Sequence, residues 1–96
     1  MDKNILQKAI DTYGTDAQQD MVIEEALELV LAILKHRRAV RFQPEKIQQC
    51  RENVIEESAD TKIMLKQVNM MFDCEEEVQE QIGFKVNRLK ERLNKQ

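Results

Sequence analysis

An all-helical fold is what this sequence predicts, and three observations carry the prediction. Only two Gly and one Pro interrupt ninety-six residues, while the helix formers Leu, Ile, Glu, Lys, Gln and Arg are abundant. Charged residues make up 34% and apolar residues 42%, which favours a packed core over disorder. The pattern breaks at Gly14, Pro44 and Asp73, which divides residues 1–96 into four helices of one domain. A domain of this size is large enough for a core but gains from burial by association.

The first helix is expected from about Asn4 to Tyr13, stopped by Gly14. Thr15 is placed to cap the second, with Asp16 in the first turn, where the helix dipole favours an acid. That helix runs to about Ala39 and ends in Lys35-His36-Arg37-Arg38, a charge that suits a C-terminus. Pro44 fits the first turn of a third helix reaching about Phe72, with a polar opening, Glu45 to Asn53, expected to fray or break. Asp73 is expected to cap the fourth helix, with Glu75, Glu76 and Glu77 in its first turn and a basic tail at its end. Within the second helix, Leu29 to Leu34 are six consecutive apolar residues and cover its whole circumference. A helix apolar on all sides must be covered on all sides. The expectation is therefore a four-helix bundle completed by dimerisation, as a homodimer or a dimer of dimers.

The net charge of −3 is unevenly distributed. From Lys85 to Gln96 there are five basic residues and one acid, leaving ten basic against seventeen acidic residues, a net −7, in the rest. An acidic body argues against general nucleic-acid binding. No apolar run approaches the ~20 residues that cross a membrane, and Met1-Asp2-Lys3-Asn4 lacks a signal-peptide pattern. Cys50 and Cys74 lack metal-type spacing and read as buried or partly buried thiols of a reducing cytoplasm.

The chemistry is carried by two acidic clusters, Glu24-Glu25-Ala26-Leu27-Glu28 and Glu57-Ser58-Ala59-Asp60. Each sets two carboxylates three residues apart, so that each pair projects from one helix face with Cβ atoms about 5–6 Å apart. Both clusters stand among apolar residues expected to pack a core, where carboxylates are rarely left without a counter-charge. Two such pairs face to face make a cage for a hard divalent cation. Oxygen ligands without a nearby imidazole suit Mg²⁺ or Mn²⁺ and are poor for zinc. The single histidine, His36, has Ile33 three residues before it, so the Glu-x-x-His motif of di-iron bundles is absent. His36 reads as a solvated residue near a helix end. The plain alternative makes these acids a solvated helix face, with Glu24 and Glu28 mildly repulsive. That reading suits Glu52, Glu56, Glu75, Glu76, Glu77 and Glu80.

The spacing Glu24-Glu25-x-x-Glu28, then Glu57-x-x-Asp60, resembles the EExxE…ExxD signature of the MazG-like all-α nucleoside triphosphate pyrophosphatases. The resemblance extends to Gln18, to the run Asn53–Asp60 and to the closing Phe84–Arg92, in the same order along most of the chain. It implies cleavage of a nucleoside triphosphate between its α and β phosphorus, giving monophosphate and pyrophosphate. Carried over by position, Glu25, Glu28, Glu57 and Asp60 hold one or two Mg²⁺ ions, and Glu24 orients or deprotonates the attacking water or serves as a further ligand. Lys85 and Arg88 match the family's Lys-x-x-Arg and grip the departing phosphates, with Arg92 one turn further on. Gln18 corresponds to a Gln that reads the base, and Tyr13, Phe72 or Phe84 could stack on it. The family's frequent Trp near the first helix is missing, which leaves base preference open. Two other classes fit the same chain: a non-catalytic helical dimer acting as an interaction or regulatory module, and a protein that senses a nucleotide without hydrolysing it.

Overall fold

Each helix boundary has a local cause, and several differ from the expected ones. The computed structural model describes residues 1–96 as α1 (Lys3–Tyr13), α2 (Thr15–Phe42), α3 (Ile47–Met71) and α4 (Glu75–Asn94), with a 3₁₀ turn at Pro44–Lys46 and no strand. Asp2 opens α1, its Oδ1 accepting from the N–H groups of Asn4 at 2.9 Å and Ile5 at 3.2 Å. At Gly14 the backbone takes φ 93° and ψ 155°, a region essentially restricted to glycine, and the Gly14 N–H closes α1 on the Ile10 carbonyl at 2.8 Å. So Gly14 itself holds the cap position of α2, and the expected Thr15 side-chain cap does not form. Asp16 alone meets the dipole there.

Helix α2 extends to Phe42, three residues past the expected Ala39. The polar opening of the third helix does not fray: after the turn at Pro44, α3 is continuous from Ile47, with Gln48 donating to Glu52 at 3.3 Å. It ends in a Schellman motif. The Cys74 N–H bonds the Asn69 carbonyl at 3.0 Å, and the Asp73 N–H bonds that of Met70 at 3.3 Å. Asp73 sits at φ 49°, so it terminates α3 instead of capping α4, and Cys74 occupies the cap position of α4 without a side-chain bond.

Helices α2 and α3 form an antiparallel hairpin whose seam follows alternating steps of four and three residues. On α2 the stripe is Gln18, Val22, Glu25, Leu29, Ala32, His36 and Ala39, all buried or half-buried. On α3 it is Ile47, Cys50, Val54, Glu57, Thr61, Met64, Val68 and Met71, all half-buried. This is the periodicity of a coiled-coil seam. Small Ala32 and Ala39, each 1% exposed, let the helices approach closely at one end. At the other, Gln18 Nε2 donates to Gln67 Oε1 at 2.8 Å, pairing two buried amides. Helix α1 packs on both α2 and α3 through buried Leu6 and Ile10.

Helix α4 is held only at its start. Glu75 accepts from Lys3 Nζ at 3.2 Å and from Lys66 Nζ, tying α4 to α1 and α3. From Gln79 onward every residue of α4 is exposed, and none of its Cα atoms comes within 8 Å of one in α1 or α2. The molecule is accordingly a slab of 44 × 40 × 20 Å with a radius of gyration of 16.9 Å, where a compact domain of this length has about 12.5 Å. Its surface is 7716 Å², against about 5,700 Å² for a compact monomer of this mass.

Candidate metal centre

The two acidic clusters meet across the hairpin because Glu25 and Glu57 both occupy seam positions. One carboxylate oxygen from each of Glu25, Glu57 and Asp60 lies within 4.8 Å of the other two. Oxygens on opposite sides of a Mg²⁺ stand about 4.2 Å apart, a little less than this spread. All donors are hard oxygens, which fits Mg²⁺ or Mn²⁺. Thr61 Oγ1 donates to the Glu25 carbonyl at 3.3 Å and ties the two helices at this level. Ser58 Oγ donates to the Val54 carbonyl at 2.7 Å, directing its hydroxyl along α3 and not toward the acids.

Glu57 is the electrostatic focus. Partial burial and, after it, the charges of Glu25, Asp60 and Glu28 push its carboxyl above the usual glutamate value. Its Oε2 is shut off from solvent and finds no hydrogen-bond donor. An acceptor left in that state loses its hydration without compensation; a proton held between Glu57 and Glu25, or a cation among the carboxylates, would relieve the repulsion.

The cluster differs from the buried cage expected from its apolar sequence neighbours. Glu25 and Glu57 are half-buried, whereas Glu28 and Asp60 are exposed, because Leu27 and the other outward apolar residues of α2 are not packed within the chain. Glu28 is not among the three converging oxygens, yet its charge reaches Glu57. Glu24 is exposed, about 100° round α2 from Glu25. Lys85, Arg88 and Arg92 are exposed on α4 and form no ion pair with an acid of the chain; the Arg88 guanidinium lies 5.9 Å from the centre of the Phe84 ring. Gln18 is buried with its amide on Gln67, and Tyr13 is 69% exposed at the end of α1.

Three features escaped the sequence reading. Glu75, read as a plain surface acid, bridges Lys3 and Lys66, and its carboxyl is held below the usual value by those two bonds. His36 is half-buried in the seam. Two turns along α2 from Glu28, Lys35, Arg38 and Lys46 line an open polar groove together with Glu52, Asn53 and Glu56. The alternation of four and three in the seam was the available signal for His36. The groove had none, since its residues come together only when the hairpin closes.

Comparison with protein-family models, with curated proteins and with solved structures gives no match. No helix is long and apolar enough to cross a membrane.

Proposed function

We propose that the chain is a Mg²⁺-dependent nucleoside triphosphate pyrophosphohydrolase that works as a homodimer or a dimer of dimers. The observation carrying this reading is the convergence of Glu25, Glu57 and Asp60 around the unsatisfied Glu57 oxygen. Together with Glu28, these residues offer four negative charges, enough to balance one or two divalent ions and to relieve the repulsion among them. Held by Glu25, Glu57 and Asp60 with Glu28 beside them, Mg²⁺ would neutralise phosphate oxygens and make a bound water easier to deprotonate. Glu24, solvent-exposed on the adjacent face of α2, orients that water or takes its proton. Lys85 and Arg88, unpaired on α4, take up the charge that develops on the departing pyrophosphate, Arg88 as a two-pronged donor. Of the base candidates, Tyr13 is open to a ligand, whereas Gln18 is buried with its amide on Gln67 and would have to leave that partner to read a base. The large uncovered apolar surface supports the oligomer.

The test is pyrophosphate release from a panel of deoxynucleoside triphosphates by the wild type, Glu28→Gln and Asp60→Asn. Both positions are exposed, so the variants should keep the fold. Release is expected to drop by about 10²-fold or more in each. Undiminished release in both removes these acids from the site. Tight nucleotide binding without turnover by the wild type favours the sensing protein instead.

A further inference from the structure

Helix α2 carries a second stripe, on the face opposite the acid seam. It steps by four and three residues through Asp16, Asp20, Ile23, Leu27, Val30, Leu34, Arg37 and Arg41, and every one of these is exposed. The four apolar members lie in the middle, exposed by 60%, 62%, 54% and 48%. Two acids precede them and two arginines follow. The centre of this arrangement falls between Glu28 and Leu29, which is also the midpoint of the helix Thr15–Phe42.

A pattern antisymmetric in charge about the helix midpoint is complementary to itself turned end for end. We infer that this stripe is an interface with a second copy of the chain, in which the two α2 helices pair antiparallel about a two-fold axis at that midpoint. In this register Leu27 of each copy meets Val30 of the other, Ile23 meets Leu34, Asp20 meets Arg37 and Asp16 meets Arg41. The result is an apolar centre with opposite charges paired at both ends, the layering of an antiparallel coiled coil with an isologous interface. Leu31 on one side, with Ile33 and Val40 on the other, widens the apolar strip; these are also exposed.

Other surfaces lack this self-complementarity. The free face of α4 has an apolar stripe of similar spacing, Ile82, Val86, Leu89 and Leu93, but Lys85, Lys90 and Arg92 edge it. Two copies of α4 would set cation against cation. A parallel pairing of two α2 helices would likewise set Asp20 against Asp20 and Arg37 against Arg37. The chain as a whole, α4 included, exposes about 2,000 Å² more than a compact monomer of its mass, and each partner in a standard interface contributes about 800 Å². The pairing leaves the acid seam on the outer face of each α2. It specifies the oligomer proposed above but does not depend on catalysis, because association and pyrophosphate release are measured separately.

The test is sedimentation of the full chain over a dilution series for the wild type, Asp20→Arg, Arg37→Asp and the double variant. Each single change turns both symmetry-related Asp20–Arg37 contacts into like-charge contacts and is expected to weaken the dimer about tenfold. The double variant, carrying both changes on one chain, restores opposite charges at both contacts and is expected to recover wild-type association. All the altered residues are exposed, and circular dichroism checks that the fold is retained. A monomeric wild type, single variants that associate like the wild type, or a double variant as weak as the singles overturns the inference.

Discussion

Burial and three neighbouring carboxylates act on Glu57 in the same direction, disfavouring its charged form. Its folded pKa therefore lies above that of the unfolded chain, so the folded state holds more protons in the range above 4.5. Stability contributed by this group is present below that range and is lost as pH rises through it. Without divalent metal, the melting temperature should fall as pH rises from that range toward neutrality, and Glu57→Gln should abolish the fall. Mg²⁺ should raise the melting temperature of the wild type at neutral pH and not that of Glu57→Gln, because a ligand of the native state stabilises it. Glu75 acts in the opposite sense. Lys66 and Lys3 hold its carboxyl down, so its contribution is present above the ordinary glutamate range and lost as pH falls through it. Gly14 makes a separate residue-scale case. Nothing lies within 4 Å of a Cβ built there, so Gly14→Ala tests the backbone alone. Its φ of 93° predicts a loss of about 1–3 kcal/mol, measurable by urea denaturation.

Among the elements, Gly14, Pro44 and the Asp73 region mark three real breaks, so the number and order of the helices were legible. The caps were harder, because one residue type serves two geometries. Asp favours a helix N-cap and also tolerates the left-handed conformation, and at Asp73 the Schellman closure of α3 prevailed. The acid pairs were legible from their spacing. Their convergence came from the hairpin register, which puts Glu25 and Glu57 in the seam while leaving Glu28 and Asp60 at its edge. Ala32, 1% exposed, lies in that seam about one turn beyond Glu28. Ala32→Leu should cost about 1–3 kcal/mol by overpacking in thermal or chemical denaturation. If the loss is negligible, α2 and α3 are not in close contact at that level.

For the molecule as a whole, the run Leu29–Leu34 was expected to be covered on all sides. Within one chain it is covered only toward α3: Leu29 and Ala32 turn inward, while Val30, Leu31, Ile33 and Leu34 stay exposed. Sequence can count apolar residues but does not say which of them the chain itself will cover. The slab shape, the free α4 and the outer stripe of α2 leave much apolar surface uncovered, as the proposed pairing of two copies requires. The basic residues of α4 and the acids of the hairpin are separate in the single chain, so catalysis as proposed depends on how copies assemble. The most direct measurement is of the products formed by the wild-type protein from deoxynucleoside triphosphates, with Mg²⁺ and with a chelator in its place. Pyrophosphohydrolysis at this site predicts monophosphate and pyrophosphate in equal amounts with Mg²⁺ and neither with the chelator. Orthophosphate as the primary product, equal turnover in the chelator, or no turnover of any nucleotide would contradict it.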